Sequence, residues 1–351
     1  MTEPTANGVA ADDILDAYPD EVVAALEIRD AFRRRLAAAN AGLEFVVSDL
    51  DRWVPGSTVR VAFLDGDKQL HADIADATRQ ITDACNIVLD FGHDPATGEF
   101  RRWTLNDAEY AAEIRVSFDR RGNFSLVGTD STDRTLGPGP VGGAPNQRSL
   151  NLGGWTATQR PQRWRGTTRH EFLHAVGFQH SHQNMRGPCQ AAFRWEDDEG
   201  YAPTQDSRGA FVADAEGRRP GIYTYLAGPP NEWPRAKVDH NLRTAEGPEV
   251  VVGPFDRASV MLYVFESFFY KTSPSPRAPN GNGVDISAGD KRGLQLLYPA
   301  TESGMQEVAG RAAKAREALD GLDAGLESTT GGPVSSPYLD RVAELLDAYP
   351  A

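Results

Sequence analysis

Residues 170–180, HEFLHAVGFQH, hold three of the chain's seven histidines. His170 and His174 stand four apart, so on a helix their rings lie one turn apart on one face. Two imidazole nitrogens placed so can reach one cation about 2 Å from each. Glu171 points about 100° further round, where it meets a water on such an ion rather than the ion itself. His180 cannot join from a continuing helix, because its direction would be wrong. The chain has to turn sharply first, and Gly177 reaches left-handed backbone conformations at little steric cost. Three neutral imidazoles with a fourth position open suit a catalytic zinc ion, although such donors also take cobalt, nickel or copper. A structural zinc site is the alternative. It closes with a fourth protein ligand, and Cys189 follows His180 by nine residues.

The same eleven residues resemble the long zinc-binding consensus of metzincin metallopeptidases. FDRASVMLY, 255–263, resembles the methionine turn of that clan in its astacin form, with Asp256, Ser259, Met261 and Tyr263 at matching places. The resemblance implies that Met261 floors the metal site. It also implies that Tyr263 can touch the metal and then swing to steady the reacting oxyanion. ISAGDKRGLQLLYP, 286–299, resembles the clan's C-terminal helix, and HSHQNM, 180–185, the HEHQ run of astacin-like enzymes. Astacins carry a glutamate after the third histidine, which pairs with the buried N-terminus of the processed enzyme. Ser181 stands there in this chain, so that pairing is not implied. The run from His180 to Met261 is long for the family and places an insertion within 195–254. The astacin disulfide set is absent. FLDGD, 63–67, has one residue more than the F-x-G-D blocking motif of astacin pro-segments and reads as a strand-to-helix turn.

The fold that the resemblance implies is α+β and metzincin-like. A twisted mixed β-sheet and two long helices form an upper subdomain (45–180). An irregular lower subdomain (181–300) ends in a C-terminal helix, and helical extensions flank the whole at 1–44 and 301–351. The activity it implies is zinc endopeptidase. One catalytic Zn2+ sits on His170, His174 and His180, Glu171 is the general base, Tyr263 assists, and Gly177 and Met261 support. A zinc-scaffolded binding protein, or a narrow-specificity processing protease or toxin, are the alternatives.

Several elements have to position these residues. From Asp12 to Asn40, Val22, Leu26, Ile28, Phe32 and Leu36 recur at three- and four-residue steps, which predicts a helix with one apolar face and a stop at Gly42. STVRVAF, 57–63, alternates and reads as a strand. A helix is expected over 68–90, with Leu70, Ile74, Thr78, Ile81, Cys85, Val88 and Leu89 along one side and Cys85 an inert core thiol. EIRVSFD (113–119), FSLVGTDS (124–131) and RSLNLGGW (148–155) supply further extended segments, and 164–180 the histidine-bearing helix. Residues 181–254 read as long loops with short elements, a pattern usually tied to function. Over 286–298 Ser287 offers an N-cap, with Asp290 three residues on as an acidic capping box. Helices at 302–326 and 338–348 flank a linker, STTGGPVSSP.

A polypeptide substrate is expected to lie extended along the cleft, pairing with the edge of strand 148–154, its side chains in a pocket built from 181–260. The flanking helices pack on the catalytic part or bind a protein partner. His71, His93, His182 and His240 read as surface histidines, with a place behind the metal ligands or against the substrate as the alternative, and the aromatics of 263–270 as core and cleft floor. LDAYP, at 15–19 and 346–350, is too short a repeat to imply a solenoid.

Composition limits the partners. The 351 residues carry a formal charge of −14, which argues against nucleic acid or an anionic membrane. Cys85 and Cys189 allow one disulfide at most. No basic-then-apolar leader opens the chain, and no run approaches the roughly 18 apolar residues of a membrane helix. The compartment is left open between cytoplasmic residence, export by a non-classical route, and a mature form from which a leader has been removed.

Overall fold

The computed structural model describes residues 17–43, 45–46, 49–137, 139–181, 189–229, 231–243, 254–265, 269–330 and 337–350, with backbone alone at 41 and 322–330. The fold is mixed α+β. Five strands, β1 (Thr58–Phe63), β2 (Val88–Asp90), β3 (Ile114–Ser117), β4 (Asn123–Ser125) and β5 (Leu150–Leu152), form one sheet in the order β2-β1-β3-β5-β4. The first four of that order run parallel, and β4 pairs antiparallel with β5. Parallel strands need cover on both faces, and the alternation in β1 supplies it. Val59, Val61 and Phe63 join the main core while Ala62 packs with Trp103 and Ala112 on the other face.

Helices α2 (Lys68–Ala77), α3 (Arg79–Thr82) and α4 (Trp164–Ala175) cover the main core face. The long helix expected over 68–90 is broken. α2 ends at Ala77, α3 is a single turn, and Val88–Asp90 is the strand β2. Val88 and Leu89 keep the apolar spacing, but Ile87 and Val88 are β-branched, which suits a strand. Val88 is 52% exposed, which shows the helical face ending there. Asp67 caps α2 by accepting from the Leu70 N–H at 2.8 Å, so FLDGD is a strand-to-helix turn. His71 is not a surface residue. It is buried and stacked on Phe63 with ring centroids 3.9 Å apart.

Beyond α4 come the hairpin β6 (Thr204–Gln205) and β7 (Phe211–Val212), then α5 (Ile222–Ala227) and α6 (Arg235–Leu242). These two helices pack with Leu262, Tyr263, Phe265, Phe269 and Tyr270 in a second, aromatic-rich core. The helix α7 (Ala288–Leu297) carries the expected capping box between Ser287 and Asp290. The helix α8 (Glu302–Thr330) runs four residues past its expected end, and α9 is Pro337–Asp347; most of the linker between lies outside the described residues.

The N-terminal helix α1 (Asp20–Ala39) docks by most of its expected apolar face, Val22 and Leu26 against Phe124 and Leu126, Leu36 against the Leu43 cluster and Phe32 against Tyr338. Val22 is buried, but Ile28 is 60% exposed. Arg29 and Arg33 are buried in its place, Arg29 against Asp130 and Asp133 and Arg33 against Asp51. Burial opposes ionisation of Asp51, and the Arg33 and Arg29 charges outweigh it and hold its pKa down. Arg341 of α9 donates to the Thr129 carbonyl and the Thr132 hydroxyl, so both ends of the chain grip the turn Gly128–Thr132. Leu43, Phe45 and Leu50 pack with Val308 and Ala312 of α8 and Leu346 of α9.

No disulfide joins Cys85 to Cys189, and burial pushes both thiols up to about 12. A thiol held that high presents far less of the reactive thiolate than an ordinary one near 8.5. At pH 8 both are therefore expected to react at least about 100-fold more slowly with a thiol reagent in the native protein than in urea. Rapid release of two equivalents of chromophore without denaturant would contradict this.

Candidate metal centre

The helix α4 lies buried along almost its whole length. Its end is built with care for backbone groups that would otherwise lack partners. The Gly177 N–H donates to the His174 carbonyl and the Phe178 N–H to the Leu173 carbonyl, the paired bonds of a Schellman stop. Gly177 takes φ +94°, which a side chain rarely tolerates. The Trp53 Nε1–H caps the Ala175 carbonyl at 2.9 Å, and the Tyr298 hydroxyl caps that of Val176 at 2.8 Å. Gly128 lets the backbone close up beside this turn, since a Cβ there would sit 1.6 Å from the Asp51 carbonyl oxygen.

The stop reverses the chain and brings His180 back to the helix face. The Nε2 atoms of His170, His174 and His180 form a triangle with sides of 3.2, 3.2 and 3.1 Å. Tetrahedral donors about 2.0–2.1 Å from one ion lie about 3.3 Å apart, so the three nitrogens match the span of a zinc ligand set. Their tautomers fit as well. His170 Nδ1 lies 2.9 Å from the Val260 carbonyl and His174 Nδ1 lies 2.7 Å from the Phe178 carbonyl. Each Nδ1 therefore carries the proton, and each Nε2 keeps its lone pair for a metal. Cys189 is not in the triad; it packs in the second core, and among the described residues no fourth histidine, cysteine or carboxylate joins the three.

Glu171 is 1% exposed and follows His170 on the same helix. The Tyr263 ring lies 4.5 Å from that of His180 and 5.8 Å from that of His170, centroid to centroid. Met261 is fully buried, one residue past the Val260 carbonyl that His170 uses. The seven expected site residues thus lie on α4, its terminating turn, and the 259–263 segment.

Three features of the cleft escaped the sequence. First, β5 is no edge. It pairs with β3 on one side and β4 on the other, so β4 is the outer strand next to α4. Second, the N-terminal segment enters the cleft. Ala17 and Tyr18 line one small cavity with His174 and His180. The Leu126 N–H bonds the Ser149 carbonyl, so by antiparallel alternation Ser125 turns its carbonyl outward. The Tyr18 hydroxyl donates to that carbonyl at 2.7 Å. Third, His240 is exposed and lines the same cavity, a place that its preferred surface reading did not give it. No local signal marks any of the three, since each depends on distant segments meeting. His93 is exposed, as expected, while His182 and most of HSHQNM lie outside the described residues.

No family model and no curated protein matches the chain. Among solved structures it is similar to two of myroilysin. One has 22% identity and a TM-score of 0.47 and covers 72% of this chain and 97% of that one. The other has 19% identity and a TM-score of 0.43 and covers 83% and 92%. A third is high choriolytic enzyme 1, a hatching enzyme zinc-protease from the medaka fish Oryzias latipes. It has 16% identity and a TM-score of 0.37, and the match covers 70% of this chain and 90% of that one.

Proposed function

We propose that the protein is a zinc-dependent endopeptidase of astacin-like, metzincin character, with residues 45–300 as its catalytic part and helical extensions at 1–44 and 301–351. The observation that carries this is the histidine triangle, with two Nδ1–H groups tied to carbonyls and three Nε2 atoms at metal-ligand spacing. His170, His174 and His180 would hold one Zn2+. The chemistry such an ion supplies is acidification of a bound water, from about 16 toward about 7, and polarisation of the scissile carbonyl. Glu171 accepts the water's proton as oxygen attacks the peptide carbon, then passes it to the leaving amine. The Tyr263 hydroxyl steadies the tetrahedral oxyanion, and Met261 packs beneath the ligands.

The substrate lies extended along β4, whose outward groups offer strand addition with little demand on side chains. Tyr18 already holds one of those groups, so it competes with substrate. Tyr18→Phe is expected to raise kcat/KM for extended peptides about fivefold, the worth of one net hydrogen bond. An unchanged kcat/KM would remove the competition. The reading as a whole is tested with the zinc-loaded full chain on casein and on a proteome-derived peptide library, reading new amino termini by mass spectrometry. Internal cleavages are expected across many peptides. Zinc bound stoichiometrically with no cleavage would point to a zinc-scaffolded binding protein instead.

A further inference from the structure

His170 and His174 are fixed by α4, but His180 lies beyond the helix and needs its own support. Its neighbour Ser181 is fastened twice to the segment beneath the site. The Ser181 N–H donates to the Met261 carbonyl at 3.0 Å, and its hydroxyl donates to Ser259 Oγ, also at 3.0 Å. Ser259 Oγ in turn accepts from the Met261 N–H at 3.0 Å and gives its one proton to Asp290 Oδ1 at 2.6 Å. That hydroxyl, buried at 5% exposure, has used its proton and both lone pairs. Asp290 Oδ2 accepts from the Val260 N–H at 3.1 Å and the Ser287 N–H at 2.9 Å. The Val260 carbonyl is the acceptor for His170 Nδ1. One carboxylate, itself 4% exposed, therefore stands behind two of the three imidazoles: His170 through Val260, and His180 through Ser259 and Ser181.

We propose that Asp290 of α7, acting through Ser259 and Ser181, is a positioning residue for the metal centre, setting where His180 and His170 present their Nε2 atoms. The inference rests on reading the triad as a metal site and adds the device that holds it. The clasp is made of groups on three segments, Ser181, the 259–261 turn and α7. A charge-assisted bond to a buried hydroxyl is short and directional, and partners of this kind typically govern metal affinity by 10- to 100-fold.

The test compares wild type, Asp290→Asn, Ser181→Ala and Ser181→Thr as full chains. Zinc affinity is measured by competition with a chromophoric chelator, the visible spectrum is recorded after cobalt substitution, and kcat and KM are separated on a cleaved peptide. Far-ultraviolet circular dichroism controls for folding. Asp290→Asn and Ser181→Ala are expected to weaken zinc about tenfold or more, to alter the cobalt band, and to lower kcat with KM nearly unchanged. Ser181→Thr, which restores the hydroxyl, is expected to recover the wild-type band and affinity. If Asp290→Asn does not fold, Ser181→Ala, a half-buried single-hydroxyl change, decides alone. Folded variants with wild-type affinity and a superimposable cobalt spectrum would overturn the proposal and leave the peptidase reading intact. A wild type that takes up no metal would overturn that reading, and this one with it.

Discussion

Glu171→Gln is expected to lower kcat by about a hundred- to ten-thousand-fold, the usual span for a general acid–base group, with bound zinc unchanged. Glu171 is 1% exposed on the rigid helix α4, beside His170. The amide matches the carboxylate in shape, so packing and ligand geometry survive, but it cannot take a proton from water. KM is expected to stay within a few-fold of wild type. Metal content by mass spectrometry and initial rates on one peptide separate the cases. Loss of zinc together with activity would make Glu171 a structural prop. Full activity in the zinc-loaded variant would remove it from the reaction.

Arg29→Ala is expected to cost about 3–5 kcal/mol of stability, because removing one partner strands buried charges. Asp130 and Asp133 have side chains 5% and 1% exposed, and both carboxylates face Arg29. Desolvating a carboxylate without its partner is far costlier than losing a surface pair, for which about 0–1 kcal/mol is typical. The site of damage matters for function. Asp130 lies in the turn Gly128–Thr132, and the Gly128 backbone abuts Asp51 and Gly177. Arg29→Ala/Asp130→Asn is expected to recover part of the loss, since the amide carries no charge to strand. Urea unfolding followed by circular dichroism measures both. A loss under about 1 kcal/mol for Arg29→Ala would mean that water or other cations compensate the aspartates.

The histidine constellation was legible because it is local. A four-residue step on a helix, a glycine that ends it and a third histidine just beyond specify the triangle from eleven residues. The Ser287–Asp290 cap was legible for the same reason, as a three-residue signature. That Asp290 also holds Ser259 was not, because 31 positions separate them and nothing in either segment names the other. The rank of β4 and β5 in the sheet is likewise a property of five strands together. Apolar periodicity failed in two instructive places. It ran through the break after α3 because Val88 and Leu89 continue the helical spacing although Val88–Asp90 is a strand. It also placed Ile28 on the buried face of α1, whereas Ile28 is exposed and two arginines that no apolar count includes share that face with Val22, Leu26 and Leu36. Histidine-as-surface failed at His71 because a neutral imidazole stacks on Phe63 as another aromatic ring does.

X-ray absorption at the zinc edge of the loaded full chain is the most direct test of the metal centre. One zinc per chain is expected, surrounded by nitrogen and oxygen at about 2.0–2.1 Å, with three imidazoles among its ligands and no sulfur. A zinc–sulfur distance of about 2.3 Å, or a shell with fewer than three imidazoles, would contradict it.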